Sequence, residues 1–121
     1  MRQRALAAMC LATLVAFASS VHAHAFLDRA VPAVGSTVHG TPQAIRIWFT
    51  QEIEPAFSTI KVLDAKGAAL AASDKAVDPS DRTLLRLPVP PLAPGTYRVV
   101  WRVLSIDSHV TEGDFTFNVA P

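Results

Sequence analysis

The sequence is poor in sulfur and in charge. It has one cysteine and two methionines, and all three (Met1, Met9 and Cys10) fall within the first ten of its 121 residues. One cysteine cannot close an internal disulfide. Charged residues make up 17% of the chain, the net charge is +1, and no basic run occurs, so there is no electrostatic case for nucleic acid. The length suits one small domain and excludes large catalytic folds such as the (β/α)8 barrel at roughly 250 residues. The longest charge-free apolar run, Ala5 to Ala18, has 14 residues. A bilayer-spanning helix needs about 20. What the chain does have is a 50% hydrophobic content, which sets it apart from a disordered tail.

That apolar run belongs to a three-part N-terminal pattern. Arg2 and Arg4 give a positive start, the run follows, and Ser19 to Ala23 form a polar end with small residues. Val21-x-Ala23 fits the small-residue rule for signal-peptide cleavage. The pattern predicts a secretory signal over residues 1–23 and a mature domain over residues 24–121 that begins at His24. An uncleaved membrane anchor is disfavoured by length. A lipoprotein reading through Cys10 fails because Met9 is not small and the apolar run continues past it. Cleavage removes Arg2 and Arg4, so nine basic residues face ten acidic ones and the net charge becomes −1. It also removes all the sulfur, while all 9 prolines and 5 glycines remain.

The mature part alternates apolar and polar residues at period two, as half-buried strands do. Ile45, Ile47 and Phe49 follow this pattern, as do Ile60 and Val62, and Leu85 and Leu87. So do Tyr97, Val99, Trp101 and Val103, and then Phe115, Phe117 and Val119. Turn-forming clusters separate the runs at residues 32–35, 40–42, 65–67, 78–80 and 88–95. The pattern predicts an all-β fold, an immunoglobulin-like Greek-key sandwich or barrel of about seven strands. Trp48 and Trp101 read as packing residues. Arg46, Lys61, Arg86, Arg98 and Arg102 read as the solvated faces of strands.

Chemistry concentrates in the histidines. His24, His39 and His109 survive cleavage. An N-terminal histidine offers its α-amine and its own ring nitrogen, which close a chelate ring on a metal. An α-amine has a reference pKa of about 7.7–8.0, so a metal displaces its proton near neutral pH. Asp107 precedes His109 by two positions, and side chains at that spacing on an extended segment point the same way. His24, Asp107 and His109 together supply nitrogen and carboxylate oxygen, a set suited to tetragonal Cu(II). Each residue also has a plainer reading: a frayed terminus for His24 and a backbone-capping turn residue for Asp107. His39, in the stretch Val38-His39-Gly40-Thr41-Pro42, reads as an exposed turn histidine.

With these residues in view, the chain resembles the CopC family of periplasmic copper-binding, copper-resistance proteins. The resemblance runs from His24-Ala25-Phe26-Leu27 through Ile45-Arg46-Ile47-Trp48-Phe49 and Leu63-Asp64-Ala65-Lys66-Gly67 to Gly113-Asp114-Phe115-Thr116-Phe117. Its most specific stretch is Pro94 to His109, where Ser108 replaces the glycine of the family's Ser-x-Asp-Gly-His. The resemblance implies a seven-stranded Greek-key fold. It also implies Cu(II) held by the amine and ring of His24 with Asp107 and His109, and an inner-membrane copper transporter of the CopD type as partner. Some members also bind Cu(I) through a methionine-rich loop, and this mature chain has no methionine. Glu52 and Glu54 are candidates to support the site from outside the ligand set.

The leading expectation is thus a monomeric, non-enzymatic periplasmic Cu(II) carrier or buffer in copper homeostasis or resistance. One alternative is an enzyme built on a histidine brace, like copper monooxygenases. The short chain and the carboxylate in a fourth equatorial position count against it. The other is a metal-free β-sandwich interaction module, which gives His24, Asp107 and His109 no purpose.

Overall fold

The computed structural model describes residues 24–70, 76–78 and 80–121, so the expected signal segment lies outside the described residues. Eight strands occur there: β1 (Leu27–Val31), β2 (Thr37–His39), β3 (Ala44–Phe49), β4 (Thr59–Leu63), β5 (Ala76–Asp78), β6 (Asp81–Pro88), β7 (Gly95–Leu104) and β8 (Val110–Ala120). A single 3-10 turn, Pro55–Phe57, precedes β4. The strands form two four-stranded sheets, ordered β1-β3-β6-β5 and β2-β8-β7-β4. All pairings are antiparallel except β2 with β8. This is the expected Greek-key sandwich, with eight strands among the described residues against the seven expected, two of them, β2 and β5, being three-residue edges.

Alternation along the strands builds the core. Ile45, Ile47 and Phe49 on β3 and Leu85 and Leu87 on β6 face inward from one sheet. Tyr97, Val99, Trp101 and Val103 on β7 meet them from the other, with Phe115, Phe117 and Val119 on β8. Phe49 packs edge-on to Trp101 with centroids 5.1 Å apart, and Tyr97 stacks on Phe117. The Tyr97 hydroxyl donates to Ala93 O, four residues upstream. This is the tyrosine corner of immunoglobulin-like sandwiches. Trp101 is the packing residue the sequence suggests. Trp48 instead lies on the outer face of its sheet, with the Arg29 guanidinium 3.9 Å from its ring centroid.

β1 escapes the sequence pattern because a register shift between Leu27 and Arg29 breaks its alternation, leaving only Ala30 buried in that strand. After β1 the chain crosses sheets through the cis Val31–Pro32 bond. It is caught on the far side where Gly35 N–H donates to Thr116 O at 2.7 Å.

Gly113 faces Trp101 across the β7–β8 ladder. A Cβ there would lie 2.6 Å from an indole carbon that is itself packed in the core. Gly113→Ala is therefore expected to lower stability by about 1–3 kcal/mol through overpacking, seen as a lower urea midpoint with an unchanged slope.

Candidate metal centre

The β7–β8 hairpin closes at one end of the sandwich through the loop Ser105–His109. Ser105 N–H donates to His109 O at 2.9 Å, and Ser108 N–H donates to Ser105 O at 2.9 Å. Ser108 takes φ +69°, the left-handed conformation that ends such a loop. The Ser105 side chain is buried, and its hydroxyl donates to Asp107 Oδ1 while accepting from His109 N–H at 3.3 Å. One serine thus organises both following polar residues. Ile106 N–H donates to Glu52 O at 3.2 Å and ties the loop to the segment after β3.

Asp107 and His109 do meet, with His109 Nδ1 3.2 Å from Asp107 Oδ1. They do so through the turn and the left-handed Ser108, not through the strand alternation that the spacing suggested.

His24 arrives from the other end of the described chain. Ala25 is wholly buried, so the terminal segment is keyed into the core beside the hairpin. The rings of His24 and His109 lie edge-to-face with centroids 4.4 Å apart. The exposed Phe26 ring lies edge-on to His24 with centroids 5.9 Å apart. One ligand atom from each of His24, Asp107 and His109 lies within 4.8 Å of the others. Nitrogen or oxygen ligands about 2.0–2.1 Å from an ion stand about 4 Å apart when opposite. Small side-chain rotations are therefore enough to bring the three onto one ion. Both histidines are half-buried and Asp107 is exposed, so an ion would reach the group directly from solvent.

The Ser105 hydroxyl is the main cause holding the Asp107 carboxyl below its ordinary value. Partial desolvation opposes it, and the neighbouring His109 adds to the lowering. The carboxylate is thereby kept ionised, as a metal ligand must be.

The remaining candidates fall elsewhere. His39 closes β2 and is exposed, outside the three-residue cluster. Glu52 and Glu54 support the hairpin through their main chains, Glu52 by its carbonyl and Glu54 by donating to Leu104 O at 2.8 Å. Their carboxylates are not in the cluster. Sequence reasoning passed over Ser105, although its spacing to Asp107 and His109 carried a local turn signal. It also passed over Thr50 and Thr111, which no local pattern marks.

Two substitutions probe the loop. Ser105→Ala should raise the Asp107 carboxyl toward its ordinary value, read by carbon-detected NMR titration. A carboxyl lowered in the folded state adds stability above its unfolded value of about 3.9, and that stability is lost as pH falls through the folded value. The variant should lose less on acidification. Ser108→Gly should raise stability on the order of 0.5 kcal/mol by chemical denaturation. It relieves a left-handed cost of about 1–2 kcal/mol, offset in part by a freer unfolded chain.

Comparison with known proteins agrees with the fold. The family model of the CopC domain matches residues 27–120. Protein YobA of Escherichia coli K12 is 35% identical over 113 residues, covering 93% of this chain and 91% of its own. The crystal structure of CopC from Methylosinus trichosporium OB3b is similar, with a TM-score of 0.77 and 36% identity over 81% of this chain and 95% of that one. That of PcoC, a methionine-rich copper resistance protein from Escherichia coli, gives 0.71 and 34% over 80% and 99%. With the model spanning most of its length, the chain belongs to the CopC family.

Proposed function

We propose that the chain, once cleaved after Ala23, is a periplasmic Cu(II)-binding protein that carries or buffers copper in copper homeostasis or resistance. The observation that carries this reading is the convergence of His24, Asp107 and His109 within 4.8 Å at one end of the sandwich. Cleavage frees the His24 α-amine beside its own ring. The amine, two imidazoles and one carboxylate then make a nitrogen-rich equatorial set, and Cu(II) binds such a set more tightly than the other divalent first-row ions. Membership of the CopC family and the likeness to a copper resistance protein support the same cargo.

The oxidation state follows from ligand chemistry. PcoC is described as methionine-rich, whereas the only methionines here are Met1 and Met9, both ahead of His24. A mature chain without thioethers or thiols has no soft ligands for Cu(I). The reading is of a binding protein, not an enzyme, because Asp107 would fill an equatorial position that an oxygen-activating copper would need open. Family resemblance supports an inner-membrane copper transporter of the CopD type as the other party in transfer.

Cu(II) titration of the mature protein with electron paramagnetic resonance tests this. A nitrogen-rich tetragonal signal is expected at one equivalent. His109→Ala, or one residue added before His24, should weaken binding by more than about tenfold. Unchanged binding in both would overturn the site. Affinity should also fall steadily from about pH 8 to about pH 5, as protons compete for the amine and imidazoles.

A further inference from the structure

Three residues hold the segment that bears His24: Thr50, Thr111 and the buried Ala25. Thr50, just past β3, uses its hydroxyl in both senses: it accepts from Phe26 N–H at 3.0 Å and donates to His24 O at 2.9 Å. The Thr50 amide donates to Phe26 O at 2.8 Å, so this one residue brackets the dipeptide link on either side of Ala25. Thr111, on β8 two residues after His109, donates its hydroxyl to Ala25 O. Ala25 itself is wholly buried and anchors the segment by apolar packing.

The hydroxyl bonds are specific and link residues far apart in sequence, at separations of 24, 26 and 86 residues. A chain terminus left to itself frays. Here both carbonyls that follow the first two mature residues are already bonded to protein. Neither is left to compete for an ion, and the ring of His24 stays beside His109. Thr50 directly follows β3 of one sheet and Thr111 lies on β8 of the other, so the clasp also ties the terminus to both sheets.

We propose that Thr50 and Thr111 are positioning residues: a two-hydroxyl clasp that holds the mature N-terminus in place before copper arrives. Pre-ordering removes from binding the cost of immobilising the terminal ligand. The proposal rests on the copper reading given above, though the clasp itself exists without metal.

The test compares Thr50→Val and Thr111→Val, which keep shape and remove the hydroxyl, with Thr50→Ser and Thr111→Ser, which restore it. In metal-free mature protein, amide exchange at Phe26 should speed up at least about tenfold in Thr50→Val and return toward wild type in Thr50→Ser. Cu(II) affinity should fall about tenfold in each valine variant, recover in each serine variant, and show an altered paramagnetic signature in the valine forms. A general loss of fold would instead accelerate exchange across β7 and would not be rescued selectively at Phe26. Wild-type exchange at Phe26 in Thr50→Val overturns the clasp, whatever copper does. Tight copper binding left unchanged in both valine variants overturns its positioning role. If wild-type mature protein fails to bind Cu(II), the copper reading falls together with the positioning role, and the Phe26 exchange result alone decides the clasp.

Discussion

The ladder between β7 and β8 is the constraint on which the rest depends. It runs unbroken from Gly95 opposite Val119 to Leu104 opposite Val110. Its inward residues fill one half of the core, and Gly113 makes room for Trp101 by having no side chain. Such a ladder has one register only, since a slip by one residue would turn Val99, Trp101 and Phe117 to solvent. The hairpin loop therefore emerges at a fixed height and angle. Ser105 then needs only its hydroxyl and its main chain to aim Asp107 and His109, because the strands beneath do not shift.

Much of this was legible because period-two alternation is a local property. The inner faces of β3, β4, β6, β7 and β8 are written directly in the sequence, and the all-β sandwich follows from them. β1 was not legible, since its register shift interrupts the period, and β2 and β5 are too short to show one. His24, Asp107 and His109 were legible as chemistry. Their meeting was not derivable from spacing alone: it needs a turn at Ser105–Ser108 and a terminal segment docked across both sheets. The left-handed Ser108 occupies a conformation that suits glycine, which serine adopts at a modest cost. Thr50 and Thr111 are ordinary strand-end threonines in sequence, and only the fold brings them to the terminus.

The site also shows a division of labour between the two halves of the sandwich. Loop residues offer side-chain ligands from a rigid hairpin, while the terminal residue is held by its own backbone. The hydroxyls of Ser105, Thr50 and Thr111 each take a main-chain or carboxylate partner, so the groups that would touch an ion are oriented by neutral donors. On the proposed copper reading, neutral support would leave Asp107 as the one carboxylate of the cluster to balance the charge of a bound ion.

The short strands at the sheet margins have a consequence of another kind. An edge strand displays unpaired amides and carbonyls that invite a neighbouring chain. Here β2 and β5 are three residues each, and β4 carries the exposed Lys61 at its centre. β1 is kinked by its register shift. Among the described strands no margin offers a long flat template, so a rising local concentration of the protein finds little purchase for strand-to-strand aggregation, and the end that bears His24, Asp107 and His109 stays open to solvent.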